Sequence, residues 1–270
     1  MASWPRPKKV AVIVNPFSRR AKVLVKKVTS LLEMSGIEVL PSRLAEDSDL
    51  VISVGGDGTL IRALHVTEGK VPVIGVKDGT FGTLVEITED KLEESLAKLS
   101  SGEFEVVDTC SVEVSGVQER AFNEVLLAHP SRGRTIKLTI CIDDVEFNRF
   151  MADGLIAATP LGSWAYSLSV GGPIVDPRVR CLILSPVAPW QPSSDMPLNP
   201  IVLPESSVVK VRGNVPFYLV VDGEPVSNTS RELVIRLSKD GFKIATLNSD
   251  HRYFYRRILD RISRGASCRQ

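Results

Sequence analysis

Apolar and polar positions follow two different periods along the first hundred residues. Val10 to Val14 is a short, nearly unbroken apolar run, the pattern of a strand covered on both faces. The stretch RRAKVLVKKVTSLLEMSG then repeats apolar residues at helical spacing and stops at Gly36. IEVL predicts a second strand, Leu50 to Val54 a third and VPVIGV a fourth, and EDKLEESLAKLSSG predicts a charged amphipathic helix closing at Gly102. Strands that alternate with helices predict a parallel sheet with helices on its faces.

After about residue 105 the texture changes. FEVVDTCSVEVSG, RAFNEVLLA, TIKLTICID, CLILSPVA, SVVKVRG, FYLVVDG and ELVIRLS are short β-rich runs parted by Gly, Pro, Ser and Asp. Such runs predict an antiparallel, sandwich-like arrangement. The expected fold class is therefore α/β plus β-rich. A Rossmann-like α/β domain spans 1–105, and an antiparallel β-sandwich-like domain spans 106–250. The final RYFYRRILDRISRG predicts a helix over 251–265 that packs back on the first domain.

Composition narrows the function more by exclusion than by suggestion. The 270 residues are 43% hydrophobic and 24% charged, values of an ordinary soluble globular protein. Lys plus Arg number 33 against 32 Asp plus Glu, so the basic excess of a general nucleic-acid binder is missing and no nucleic-acid partner is expected. Cys110, Cys141, Cys181 and Cys268 lie far apart without a CxxC pair. That spacing argues against a zinc ribbon or redox dithiol and fits a reducing cytosol. His65, His129 and His251 are equally scattered and give no metal-ligand spacing. The apolar run after the N-terminal lysines is too short for a signal segment, and no stretch reaches 18 apolar residues. The expected setting is cytoplasmic, with no membrane partner.

The most informative short stretch is DLVISVGGDGTLIRALH, residues 49–65. A buried strand ends in Gly55-Gly56-Asp57-Gly58-Thr59, and a helical pattern begins at once. Glycines lacking a Cβ let backbone N–H groups approach a ligand, and the positive end of a helix adds to an arrangement that suits phosphate oxygens. Neither GxxxxGK[ST] nor GxGxxG is present. An acid in a phosphate cradle repels its ligand unless it serves a Mg²⁺ ion or takes a proton, and both roles belong to phosphoryl transfer to a hydroxyl. The bland alternative is that Asp57 caps the helix starting near Thr59. The loop's place at the carboxyl end of a predicted parallel strand favours chemistry.

A second block, MADGLIAATPLGSWAYSLSVGGPIVDP (151–177), puts a glycine-flanked helix start inside the β-rich half. With that block in view, the chain resembles the NAD kinase family. The resemblance rests on Asn15-Pro16 after the first strand, GGDGT, the Asn-Glu pair of FNEVLLA, DGLIAATPLGSWAYSLSVGGPI, and VDGE, all in order and covering most of the chain. GGDGT is shared with lipid kinases and, loosely, with phosphofructokinases; the long DGLI-to-GGPI block is the specific part.

The resemblance implies a phosphotransferase that uses ATP, or polyphosphate, to phosphorylate the 2′-hydroxyl of NAD's adenosine ribose, with Mg²⁺. It implies that Asp57 acts as general base, or orders the hydroxyl and Mg²⁺, and that Gly55, Gly56, Gly58 and Thr59 cradle the donor phosphates. Asn123 and Glu124 would bind the adenosine part of NAD, and Asp153 would approach the nicotinamide-side ribose. Ser163, Trp164, Ala165, Tyr166 and Ser169 would line the dinucleotide pocket. A homo-oligomer, dimer or tetramer, is also implied. The residue types suit these tasks. A positioned carboxylate base is worth roughly 10²–10⁴-fold in rate, and Asn offers both a donor and an acceptor to an adenine edge.

The chain departs from the family pattern in three places. Trp164 stands where TPTGSTAY carries its second threonine, and its ring has three readings: stacking on a base, reshaping the pocket, or pointing into the core. Lys77 and Thr83 stand where GINxGxxGFL has Asn and Phe. Arg132, Arg134 and Lys137 cluster in a loop that reads either as solvated or as a phosphate contact. The changes at Trp164, Lys77 and Thr83 bear on acceptor choice, and leave open a kinase of the same superfamily acting on a lipid or sugar hydroxyl. A non-catalytic dinucleotide-binding regulator is the reading from another class.

Overall fold

The computed structural model describes residues 4–79, 82–131, 133–190, 199–227, 230–248, 250, 255 and 256. Two compact units share the chain: one runs to Asp108 and resumes at Phe242, and the other runs from Thr109 to Gly241.

The first unit is built on strands β1 (Lys9–Val14), β2 (Glu38–Leu40), β3 (Leu50–Gly55), β4 (Val73–Lys77) and β5 (Glu105–Asp108), with helices α1 (Arg19–Met34), α2 (Asp57–Val66) and α3 (Leu92–Ser101). All six residues of β3 are buried, which is why its sequence is apolar without alternation. Helix α1 starts at Ser18, whose Oγ accepts from the Ala21 N–H at 3.1 Å. It buries Ala21, Leu24, Val28 and Leu32, one stripe at helical spacing. Helix α3 ends at Gly102, left-handed at φ +85°, a conformation glycine adopts without strain.

In the second unit the strands are β6 (Ser111–Val114), β7 (Glu124–Ala128), β8 (Ile136–Ile142), β9 (Val145–Ala152), β10 (Gly154–Ala158), β11 (Cys181–Val187), β12 (Ile201–Pro204), β13 (Val208–Gly213), β14 (Tyr218–Val221), β15 (Glu224–Val226) and β16 (Glu232–Ser238); a short helix, α4 (Tyr166–Ser169), follows β10. They form two antiparallel sheets, ordered β12-β11-β10-β7-β14-β15 and β6-β16-β13-β8-β9. One apolar cluster joins their inner faces, with Leu233, Ile235 and Leu237 of β16 in the same core as Val125, Leu127, Leu155, Ala157, Leu182 and Leu184. Burying a side chain of this size contributes about 1.5–3 kcal/mol, so the two sheets hold each other as a sandwich. Strand β10 is buried at every position. Its outer face, Ile156 and Ala158, packs in a smaller cluster with Cys181 and Ile183.

The last strand, β17 (Lys243–Thr246), returns to the first sheet and gives the order β2-β1-β3-β4-β17-β5. It pairs parallel with β4 and antiparallel with β5. The sequence reading assigns 106–250 to the β-rich domain, whereas the chain leaves the sandwich at Phe242. Ala245 is buried in the first unit's core, which draws the segment back. The helix expected over 251–265 lies outside the described residues except for Tyr255 and Arg256.

Candidate functional site

In the first unit three adjacent parallel strands end together, β1 at Val14, β3 at Gly55 and β4 at Lys77, with Gly55 in register with Lys77. The carboxyl ends of such strands are where open α/β sheets hold ligands. The glycines of the loop are there for different reasons. A Cβ on Gly55 would lie 2.3 Å from Thr59 Oγ1, so packing requires that glycine. Around Gly56 and Gly58 a Cβ would meet nothing within 4 Å, and neither has a left-handed φ. Neither packing nor backbone conformation requires a glycine at these two positions. Gly56 is the N-cap of α2 and Gly58 lies in its first turn, whose leading N–H groups have no intrahelical acceptor.

Asp57 does not cap its own helix; the N-cap position is Gly56 and carries no side-chain bond. Instead its carboxylate gathers a neighbouring loop. Oδ2 accepts from the Thr83 N–H at 2.7 Å, and Oδ1 accepts from Leu84 and Val85 at 2.8 and 3.2 Å. Gly82, at φ +144°, leads into this segment; a Cβ there would lie 3.3 Å from Asp57 Oδ1 and 3.5 Å from Lys77 Cε. The structure thus brings Lys77 to the mouth of the glycine loop beside Asp57. Thr83, where an aromatic was expected by resemblance, is buried and supplies one of the three N–H groups. Asn15 shapes the other side, its Oδ1 accepting from the Phe17 N–H at 3.0 Å.

The second unit assembles its candidates around the start of β7. Asn123 is buried and Glu124 partly so. Their backbone is held from two directions. The carboxylate of Asp222 accepts from the N–H groups of Phe122, Asn123 and Glu124 at 2.6, 2.7 and 3.1 Å. On the carbonyl side, Thr159 Oγ1 donates to Phe122 O at 2.7 Å and the Thr159 N–H to Asn123 O at 2.8 Å. Thr159 Oγ1 also accepts from the Gly162 N–H at 3.0 Å, which ties the loop after β10 to the same segment. Gly162 fits because it has no Cβ: one placed there would sit 1.9 Å from Asn123 O.

Glu124 is the electrostatic anomaly of this unit. Burial, then the nearby Asp222 charge, push its carboxyl up to about 8, against a backbone hydrogen bond from Tyr166 that favours ionisation. Its Oε2 is buried and makes no hydrogen bond. A buried acceptor left open in this way is costly unless a ligand or water completes it.

The other expected residues divide by exposure. Tyr166 and Ser169 are exposed and Ala165 is partly so. Asp153 is exposed, its N–H donating to Val187 O at 2.9 Å. Ser163 is fully buried; its hydroxyl donates to Pro160 O at 2.6 Å and accepts from the Val175 N–H at 3.1 Å. That hydroxyl fastens the turn to the segment after the block. Trp164 is 8% exposed, so its ring is buried in this structure. Arg132 lies outside the described residues, and Arg134 is exposed. Lys137 lines a cavity of about 410 Å³ with Arg149, Arg212, Phe150 and Trp190; both arginines there are paired, with Glu146 and Glu232.

Sequence reasoning gave Asp222 no role, although it stands in the quoted VDGE. The missed signal is the Asp-Gly pair of a two-residue hairpin: Val221 pairs with Glu224, and Asp222 and Gly223 have φ of +47° and +90°, as a type I′ turn requires.

Comparisons with known proteins agree with this layout. Residues 41–104 match the ATP-NAD kinase N-terminal domain and residues 122–248 the ATP-NAD kinase C-terminal domain. The chain is 31% identical to an NAD kinase of Methanosarcina barkeri over 94% of its own length and 93% of that protein's. It is 32% identical to an NAD kinase of Clostridium beijerinckii, with 93% of each chain covered. The structure of an NAD kinase from Archaeoglobus fulgidus, solved in complex with ATP, superposes with a TM-score of 0.82 at 27% identity, covering 93% of this chain and 99% of that one.

Proposed function

The chain belongs to the NAD kinase family, and on that premise we propose that it transfers the terminal phosphoryl group of ATP to the 2′-hydroxyl of the adenosine ribose of NAD, giving NADP and ADP. The observation that carries this reading is that both family domains match in order, one spanning the glycine loop and the other the Asn-Glu pair and the DGLI-to-GGPI block. In the reaction the ribose oxygen forms a bond to the terminal phosphorus as the bridging bond to ADP breaks, and the hydroxyl proton leaves.

Asp57 is the residue assigned to that proton. A carboxylate has about four acceptor positions, and three are taken by Thr83, Leu84 and Val85. Oδ2 accepts a single bond and keeps one position with which to order the hydroxyl and receive its proton. The three N–H groups hold the carboxylate still, which lowers the reorganisation needed at the moment of transfer. The first-turn N–H groups of α2 around Gly56 and Gly58 receive donor phosphates, and Lys77 adds a cation at the same mouth. Gly55 and Thr59 keep the turn closed beneath them. Asn123, Glu124, Asp153, Ala165, Tyr166 and Ser169 are assigned to NAD; Ser163 and Trp164 support them from the interior.

Magnesium enters this scheme with ATP. Among the described residues no three His, Cys, Asp or Glu side chains converge to hold an ion. A single carboxylate beside a phosphate cradle fits an ion that phosphate oxygens would mostly hold and that would supply neutralisation of phosphate charge; Asp57, with one open acceptor position, would serve either that ion or the ribose hydroxyl. Polyphosphate would offer the same oxygens to the loop, and a homodimer or homotetramer in the cytoplasm is the setting proposed. No helix among the described residues is long and apolar enough to cross a membrane.

A panel of acceptors with terminally labelled ATP tests the reading. Label entering NAD at the 2′-position is the expected result. Label entering a lipid or sugar, with none in NAD, would overturn it in favour of another kinase of the superfamily.

A further inference from the structure

The first acid of VDGE accepts three backbone hydrogen bonds at the Asn-Glu pair. We propose that Asp222 is a positioning residue for the dinucleotide: its carboxylate fixes the backbone from Phe122 to Glu124 and so sets the places of Asn123 and Glu124. This rests on the NAD kinase reading of the same residues.

The geometry carries the inference. Three consecutive N–H groups, of Phe122, Asn123 and Glu124, converge on one carboxylate at 2.6, 2.7 and 3.1 Å. The Asp222 N–H returns a bond to Glu124 O at 3.0 Å, so the hairpin tip and the start of β7 are locked in both directions. Asp222 adopts φ +47° to do so, a conformation uncommon for residues other than glycine and tolerated by Asp and Asn. Strand pairing alone does not need this acid. The β14–β7 ladder already runs from Tyr218 to Val221 against Ala128 to Val125, and it stops one residue short of Glu124.

The acid also acts on the electronic state of the segment it holds. The groups facing the Glu124 carboxyl are Asp222 from the β14–β15 turn and the Tyr166 backbone N–H from α4. Burial first, and the Asp222 charge second, keep Glu124 protonated into the neutral range. Asp222 thereby helps preserve a neutral carboxyl, a group able both to donate and to accept a hydrogen bond.

Asp222→Asn separates these effects from simple folding. The amide oxygen can still accept from Asn123 and Glu124, while its NH₂ faces the Phe122 N–H donor, so one of three bonds is lost. The expected result is a KM for NAD raised about tenfold, with kcat changed less than about threefold and KM for ATP unchanged. Loss of the Asp222 charge should also move the titration of Glu124, followed by NMR of a ¹³C-labelled carboxyl, to lower pH by about one unit. Asp222→Ala removes all three acceptors and should raise KM for NAD further; if it does not fold, Asp222→Asn still decides. An active Asp222→Asn variant with wild-type KM for NAD and an unmoved Glu124 titration overturns the proposal. So does a rise in KM for ATP equal to that for NAD, which marks a general structural loss. Absence of NADP formation by the wild-type protein overturns the parent reading, and the proposal with it.

Discussion

Replacing Glu124 with glutamine removes an ionisable group from a place where the folded protein resists its charge. In the fold the carboxyl is pushed up to about 8 from the 4.5 of a free side chain, by burial first and the Asp222 charge second. Between those values the unfolded chain has released its proton while the folded chain keeps it. Folding then binds a proton, so stability falls as pH rises from about 4.5 to about 8 and is flat above. Each pH unit is worth about 1.36 kcal/mol. Across this window, and allowing for the solvent reached by a side chain only partly buried, the loss is about 3–5 kcal/mol. Glutamine has nearly the same shape and no proton to lose. The variant should match wild type within about 1 kcal/mol at pH 5 and exceed it by about 3–5 kcal/mol at pH 8.5. Urea unfolding at the two pH values, followed by tryptophan fluorescence, measures this difference, because other titrating groups cancel between the two proteins. A stability gap between variant and wild type that is the same at both pH values would refute the reasoning.

Two further substitutions test the rest of the architecture. Gly162→Ala puts a Cβ 1.9 Å from Asn123 O where about 3.0 Å is the minimum; the backbone must retreat, at a cost of about 2–4 kcal/mol from overpacking and a stretched Thr159–Asn123 bond, and both melting temperature and NAD affinity should fall. Gly58→Ala has open space around it and a better helix former in α2, so melting temperature should hold or rise slightly, by up to about 1 kcal/mol of stability; KM for ATP should nevertheless increase, and an unchanged KM would remove the ligand explanation for that glycine.

The alternation of strand and helix was legible in the first hundred residues because β3 is buried on both faces and α1 carries a single apolar stripe. The sandwich was legible from its short β-rich runs and turn residues. The return of β17 to the first sheet was not, because KIAT is too short to declare its partner; only the open edges of β4 and β5 decide it. At the candidate site, the glycine loop announced itself through composition, yet the division of labour among its glycines did not: Gly55 answers to Thr59, while Gly56 and Gly58 answer to empty space. Asp57 offered capping or chemistry, and the structure adds a third bond set, to the backbone of Thr83 through Val85, distant in sequence and carried by N–H groups that every residue but proline has. Asp222 escaped notice for the same reason: its partners are backbone amides about a hundred residues away, and no side-chain pattern records them.

The most direct test of the account is NADP formation by the purified protein from NAD, ATP and Mg²⁺, read with an NADP-specific dehydrogenase and repeated with Asp57→Asn. The account predicts NADP from the wild-type protein and a loss of at least about 10²-fold in the folded variant. No NADP from a folded wild-type protein, or near wild-type activity in Asp57→Asn, would contradict it.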